Sequence, residues 1–297
     1  MFLLAGLAHG DVEKPREALA KIRKQCLQIL ERAFDSENAF VRGAAIRAAG
    51  ESSDPALVPG LKKAAGDPSP TNRLFALQAL REVAPPQALE QARGLQDDWD
   101  VWVRSAAVKT RGELGGPEDL ARVRAALKAD DRPVRLAAAS VLAAHGDSGA
   151  FSLFRETLQG NHPTLKYPAI GYLGELRSPE ARSLLVSLLE SEEKEILFYT
   201  LKALQGRVEP DLRERLQELA AHSHPSVRFQ AVRLMGELSA PDVLQELGEF
   251  CDDADPMVRL AAAVALTQKG KRTCRSVFPR LLEHPDYGVR SATARIL

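Results

Sequence analysis

An all-α solenoid of about nine two-helix units is the fold this sequence predicts, and three observations predict it. The first is an unbroken 31-residue period: positions spaced by that interval read Arg42, Arg73, Arg104, Arg135, Lys166, Leu197, Arg228, Arg259 and Arg290. The second is the pair of columns beside this ladder. The residue before it is apolar in every copy except Asn72, and the residue three after it is Ala in seven copies and Thr in two, Thr200 and Thr293. The third is the turn ahead of each ladder residue, rich in Asp, Pro, Ser and His, as in GDPSP, DDRP, SHPS and DADP. A period kept without insertion is the mark of stacked repeats, each touching only its neighbours.

Taken in order, the chain opens on Phe2–Ala8, which echoes the end of a later unit: Leu7–Asp11 matches Ala143–Asp147 in its Ala-His-Gly-Asp run. Residues 2–10 are therefore expected to be the remnant of a preceding repeat, and the chain a piece of a longer array. Asp11 to about Arg23 is extra length, predicted to extend the first helix. Each unit then alternates an A helix with a B helix. The A helices carry Leu-rich stripes, such as Leu57 and Leu61, Leu185 and Leu189, or Leu212, Leu216 and Leu219. The B helices follow the Asp/Pro/Ser turns, whose side chains cap free N–H groups and whose prolines suit a first helical turn. Within B, the residue before the ladder and those three, four and seven after it make one apolar stripe at 100° per residue, for example Val258, Ala262, Ala263 and Leu266. The small third-column residue predicts a close helix crossing, and Gly50, Gly112, Gly174 and Gly236 are expected to end four B helices as C-terminal glycines. Helices of about a dozen residues cannot cover their apolar faces alone, so units must stack, and residues 1–297 are expected to form a single solenoid.

Composition narrows the function. Lys+Arg and Asp+Glu are 40 each among 297 residues, and the balance is even: residues 1–150 carry 21 basic and 20 acidic side chains. No net basic footprint of the kind that drives phosphate-backbone binding is present, which disfavours nucleic acid as a partner. The three cysteines, Cys26, Cys251 and Cys274, form no CxxC pair and are odd in number, which predicts reduced, buried thiols in a cytoplasmic protein rather than disulfides or zinc. The start MFLLAGLAHG lacks a basic n-region and is too short to span a bilayer, so no membrane insertion is expected.

The pattern D-x-x-P-x-V-R-x-x-A-x-x-A-L-G, nearly complete in HSHPSVRFQAVRLMGEL and DDADPMVRLAAAVAL, resembles the HEAT repeat, in particular the short bacterial form of phycobilisome-lyase subunits. The resemblance covers residues 12 to 297. It implies a right-handed superhelix whose B helices line the inner surface, and a scaffold or adaptor that holds a protein partner there. It implies as an alternative a bilin lyase-like or chaperone-like subunit, and as a second alternative a nucleic-acid-binding HEAT protein. The HEAT-like deoxyhypusine hydroxylases hold iron with His-Glu motifs that this sequence lacks.

Eight cations on nine stacked positions could track an acidic ligand, but the ladder falls among the apolar columns beside Asp35, Asp67, Asp98, Asp130 and Asp253, which favours Arg–carboxylate forks between units. Arg42, Arg73, Arg104, Arg135, Lys166, Arg228, Arg259 and Arg290 are thus read as structural. The column one residue later contains Leu136, Tyr167, Phe198, Phe229 and Leu260 in succession, with Tyr199 alongside, at a position the helical wheel calls exposed. Either it is a hydrophobic ribbon for an extended peptide or partner helix, or its side chains plug gaps between B helices. Basic residues flank it, Lys202 and Arg233 among them. Trp99 and Trp102, the two tryptophans, sit in one inter-helix turn as partner anchors or as a staple of that turn. No HExxH, phosphate loop, GxSxG or paired-carboxylate signature occurs, and His222 with His224 is at best a partial metal site. A non-catalytic protein without cofactor or metal is expected.

Overall fold

The computed structural model describes residues 10–160, 162–238 and 240–297. Residues 1–9, and with them the expected repeat remnant, lie outside that range. Among the described residues the chain is a tandem of helices, A and B in strict alternation. They are α1 (Gly10–Phe34), α2 (Ala39–Ser52), α3 (Val58–Ala64), α4 (Pro70–Val83), α5 (Pro85–Gly94), α6 (Val101–Leu114), α7 (Pro117–Ala126), α8 (Arg132–Ala144) and α9 (Phe151–Gln159). They continue as α10 (Pro163–Glu175), α11 (Pro179–Ser187), α12 (Lys194–Ala203), α13 (Arg213–Ala220), α14 (Pro225–Met235), α15 (Pro241–Glu249), α16 (Pro256–Gln268), α17 (Val277–Leu282) and α18 (Tyr287–Ile296). Even-numbered helices are the B helices. At 25 residues α1 is the longest, where the sequence places its extra length. The chain divides into two compact units, Met1–Ala150 and Phe151–Leu297. Each is an α-solenoid segment with its own core.

The turns start the B helices as their chemistry dictates. Asp100 accepts from the N–H groups of Trp102 and Val103, Asp255 from those of Met257 and Val258, and Asn38 from that of Phe40. Proline occupies the first helical position of α4, α10, α14 and α16, where its missing N–H costs nothing. The apolar stripes then bury. In the first unit Ile46, Leu57, Leu61, Leu77 and Leu80 are at most 1% exposed, and in the second Ile170, Leu173, Leu185, Leu216 and Leu266 are equally buried. Each such leucine contributes about 1.5–3 kcal/mol over its exposed state.

Adjacent B helices cross closely along two columns. The small third-column residues, from Ala45 to Thr293, are all 3% exposed or less. Of the glycines expected to end B helices, Gly236 does stand at the C-terminal cap of α14, and all four do a further job. Gly50, Gly112 and Gly174 lie inside their helices, and Gly236 has φ −61° rather than a left-handed value. A Cβ at Gly50, Gly174 or Gly236 would come within 2.9, 2.9 and 2.5 Å of the Cβ of Ala79, Ala203 and Ala265, and one at Gly112 would strike Val141. These glycines permit backbone approach between successive B helices.

The cysteine expectation is also corrected. Cys251 and Cys274 form a disulfide with Cα atoms 5.9 Å apart, joining the turn after α15 to the loop between α16 and α17, and Cys26 is exposed on α1. Sequence separation of 23 residues hid the pair, because stacking rather than chain proximity brings the two loops together. The pairing removes the support that reduced thiols lent to a cytoplasmic location. Among the described residues no helix is long and apolar enough to cross a membrane.

Candidate functional site: the B-helix face of the second unit

The ladder positions are bound up in the turns. In Arg42, Arg73, Arg104, Arg135, Arg228, Arg259 and Arg290, Nη1 donates to the two backbone carbonyls six and five residues earlier. In Arg104, for instance, these are Asp98 at 2.6 Å and Trp99 at 3.1 Å. The free side of the guanidinium reaches forward to the next unit: Arg42 forks onto Asp67 at 2.6 and 2.9 Å, Arg228 onto Asp253 at 2.9 and 2.8 Å, and Arg73 meets Asp98 at 2.6 Å. Each ladder arginine thus takes carbonyls from its own preceding turn, and Arg42, Arg73, Arg104 and Arg228 add a carboxylate from the following one. Asp35 and Asp130 depart from the expected pairing: Asp35 binds Lys63, and Arg104 is met by Asp131. Lys166 stands 3.4 Å from Glu193. Burial pushes the Asp67 and Asp253 carboxyls up, but the arginine forks and turn N–H bonds outweigh it and hold both below the ordinary aspartate range.

Trp99 is 72% exposed and Trp102 38%. The Trp99 ring lies 5.0 Å from the Arg73 guanidinium and covers the ion pair that Arg73 makes with Asp98. Both readings of the pair therefore have a physical basis, a lid on a buried charge pair and an outward aromatic surface.

The column after the ladder is divided. Leu136 and Leu260 are 1% exposed, which for these two supports side chains that plug gaps between B helices over an open ribbon. The reason is visible at Gly43 of the same column, where a Cβ would meet Asn72 and Phe75 of the next B helix: the column points into the seam between neighbours. Tyr167, Phe198 and Phe229 are too large for that seam and emerge half-buried. Tyr167 and Tyr199 pack with ring centroids 4.9 Å apart, Phe198 meets Tyr199 edge-on at 5.4 Å, and Tyr199 keeps 39% of its surface in water. Lys202 is exposed one turn further along α12. Arg233 stacks over Phe229 at 5.5 Å. Next to this pair opens a groove of about 910 Å³, with Phe229, Met257, Leu260, Val264 and Ile296 forming its apolar part and Gln205, Arg233, Glu237 and Gln268 its polar part. Helices α14, α16 and α18 thus present an apolar trough with one aromatic wall and charged ends.

HEAT repeats match residues 58–143, 120–204 and 185–266, a stretch that takes in more than half of the chain. The chain belongs to the HEAT-repeat family. No curated protein shows significant similarity to it. Among solved structures this HEAT-repeat chain is similar to the CpcE–CpcF complex of phycocyanin lyase from Nostoc sp. PCC7120, at 18% identity, covering 81% of this chain and 94% of that one with a TM-score of 0.48. It is similar to human deoxyhypusine hydroxylase, at 18% identity, 84% and 98% coverage and a TM-score of 0.39. It is also similar to Kap121p, at 14% identity and a TM-score of 0.44, over 92% of this chain and 37% of that one. These are likenesses of fold.

Two features of the HEAT repeats near the groove are absent from the sequence-level candidates. Glu237 accepts from the N–H of Gly206 at 3.0 and 2.9 Å with its two oxygens, pinning a residue whose φ is +73°. Burial raises the Glu237 carboxyl above the ordinary glutamate value despite that bond and the nearby Arg233 charge. On the other side of the same turn lie Arg177, Arg182 and Arg207. The 31-residue spacing of Gly206 and Glu237 was the available signal for the first, and Arg177, in a column of otherwise small residues, for the second. His222 and His224 serve the turn before α14: the His222 ring accepts from the N–H of His224 at 2.9 Å, and the His224 ring meets the Ser226 hydroxyl at 2.8 Å.

Proposed function

We propose that this HEAT-repeat protein is a non-catalytic scaffold that holds a protein partner on the B-helix face of its second unit. The observation that carries the reading is the trough beside α14, α16 and α18, with the half-exposed Tyr167–Phe198–Tyr199 cluster on the same succession of B helices. An apolar groove edged by fixed charges suits an amphipathic helix or extended segment, which lays aromatic or aliphatic anchors into the groove and polar residues along its rim. Lys202 and Arg233 favour a segment that carries acidic residues beside its anchors. Ladder residues contribute by holding the helices in register and the tryptophan turn lies outside this face, so neither contacts the partner.

Phe198→Ala/Tyr199→Ala tests the reading, since both rings are only partly buried and their removal leaves the core leucines in place. Proteins that copurify with the wild-type chain at stoichiometric level are compared with those retained by the variant, by quantitative mass spectrometry and with thermal stability measured alongside. Loss of the partner from a stably folded variant is expected. Full retention of every stoichiometric partner by the variant would refute the assignment.

A further inference from the structure

The second unit contains a concentrated positive charge that the scaffold reading does not use. Arg177, Arg182 and Arg207 line one groove of about 780 Å³, together with Ser178, Ser183 and Glu209. The repeat pattern makes their presence unusual. At the position of Arg182, six of the other eight units carry Leu27, Val58, Leu89, Leu120, Phe151 and Leu244, and the remaining two carry Arg213 and Arg275. At that of Arg207, four neighbours carry Val83, Leu114, Leu176 and Leu238, and at that of Arg177 the other units carry only Ser, Ala, Gly or Val. Consecutive repeats thus replace apolar or small residues by guanidinium groups that converge on one cleft.

The cluster is only partly compensated inside the protein. Arg182 is paired with two carboxylates, its Nε 3.1 Å from Glu209 and an Nη 2.6 Å from Asp211, so the uncompensated charge lies on the other two arginines. Arg207 donates to the carbonyls of Leu173 and Gly174 at 3.3 and 3.2 Å, at the end of α10, and meets no carboxylate. Arg177 is exposed and makes no ion pair among the described residues. Burial first, and then the charges of Arg177 and Arg182, push Arg207 below the ordinary arginine value, so the three cations work against one another in the empty groove. Like charges held this close cost stability, and a bound dianion reverses the sign of that interaction.

We propose that this cleft is a binding site for a phosphate monoester group. Three arginines against Glu209 and Asp211 leave the cleft a formal charge of +1, and Arg177 and Arg207, which meet no carboxylate, are the two guanidinium groups left for a phosphate. Guanidinium forks match the oxygens of a phosphate group, and the hydroxyls of Ser178 and Ser183 edge the same space. The cleft exceeds a bare phosphate in volume and admits the group that carries it, which is either a phosphorylated side chain of a polypeptide or a small phosphorylated metabolite. Gly206 and Val208 line both this cleft and the apolar trough, so the two sites share one wall, but the assignment of each stands without the other.

The test is a calorimetric titration of the whole chain with inorganic phosphate at fixed ionic strength, against chloride and acetate, followed by a phosphoserine peptide and its unphosphorylated form. Saturable phosphate binding that chloride and acetate do not reproduce is expected. Arg177→Gln, which removes an exposed side chain, should weaken it about tenfold or more, the equivalent of one hydrogen bond to a charged group. The thermal midpoint should stay unchanged, and Lys24→Gln, at an exposed position on α1, should bind as the parent does. Tighter binding of the phosphoserine peptide than of inorganic phosphate would assign the source as a polypeptide, and equal or weaker binding a small molecule; both uphold the site. Phosphate binding no stronger than chloride or acetate, or binding untouched by Arg177→Gln, would overturn it.

Discussion

Replacing Arg73 by methionine should unfold the first unit at a markedly lower temperature. The Arg73 and Asp98 side chains are 5% and 8% exposed, their contact is 2.6 Å, and Trp99 stacks over the guanidinium at 5.0 Å. Methionine fills much of the volume but leaves the Asp98 carboxylate buried with the Asp100 N–H, at 2.9 Å, as its remaining partner. It also strands the Asp67 and Pro68 carbonyls that Arg73 serves at 2.8 and 3.2 Å. Breaking one side of such a buried pair costs about 3–5 kcal/mol. In a domain of this size that corresponds to a fall of roughly 6–20 °C in the thermal midpoint, followed by circular dichroism at 222 nm. The double variant Arg73→Met/Asp98→Leu should recover most of the loss, because it removes the orphaned charge as well. Arg23→Met, which breaks an ion pair whose arginine is 64% exposed, should leave the midpoint nearly unchanged. A fall of less than about 2 °C for Arg73→Met, corresponding to under ~1 kcal/mol, would refute the view that the ladder holds the units together.

Gly236→Ala should destabilise by about 1–3 kcal/mol through the forced contact with Ala265, whereas Gly171→Ala, with open space around its Cβ, should stabilise by about 0.5–1 kcal/mol; chemical denaturation measures both. Thiol titration of the unfolded, unreduced chain should find one reactive cysteine, Cys26, and Cys251→Ser should cost about 3 kcal/mol for a loop of 23 residues. Three reactive thiols would contradict the disulfide. On acidification, the lowered Asp54, Asp67, Asp119 and Asp253 carboxyls contribute stability that is complete above the ordinary aspartate pKa of about 3.9. That contribution is lost as pH falls through their depressed folded values. Glu237, raised in the fold, acts in the opposite sense, contributing less as pH rises past its ordinary value. With Asp242, also lowered beside Arg213, five carboxylates against one predict a midpoint that falls steeply below pH 4, and a flat profile there would contradict the forks.

The architecture was legible because it is written in registers. The ladder column, the small third column and the capping turns each repeat without insertion, and a stacked helix pair is the one arrangement that buries them together. What depends on the third dimension across units was less legible. Leu136 and Leu260 read as exposed because a helical wheel describes one helix, and the seam that covers them belongs to two. Gly236 was legible as the end of α14 but not as a contact, because a wheel does not show Ala265 approaching it. Cys251 and Cys274 read as separate thiols because loops of neighbouring units meet only after stacking. The trough beside Phe229 was half visible, through Phe229, Leu260 and Arg233. Its polar rim, Glu237 holding Gly206, was not, since a carboxylate in a turn ordinarily signals solvent. Arg177 departs from a column of small residues in sequence, but that it shares a cleft with Arg182 and Arg207 depends on how successive repeats stack.

The partner-binding face is tested most directly by site-specific photocrosslinking in the source cells. A benzophenone amino acid placed at Tyr199 or Lys202, both exposed on α12, should yield a discrete crosslinked adduct with another polypeptide. The same group at Glu214, exposed on α13, should yield none. Adducts at Glu214 with none at Tyr199 or Lys202 would contradict the account.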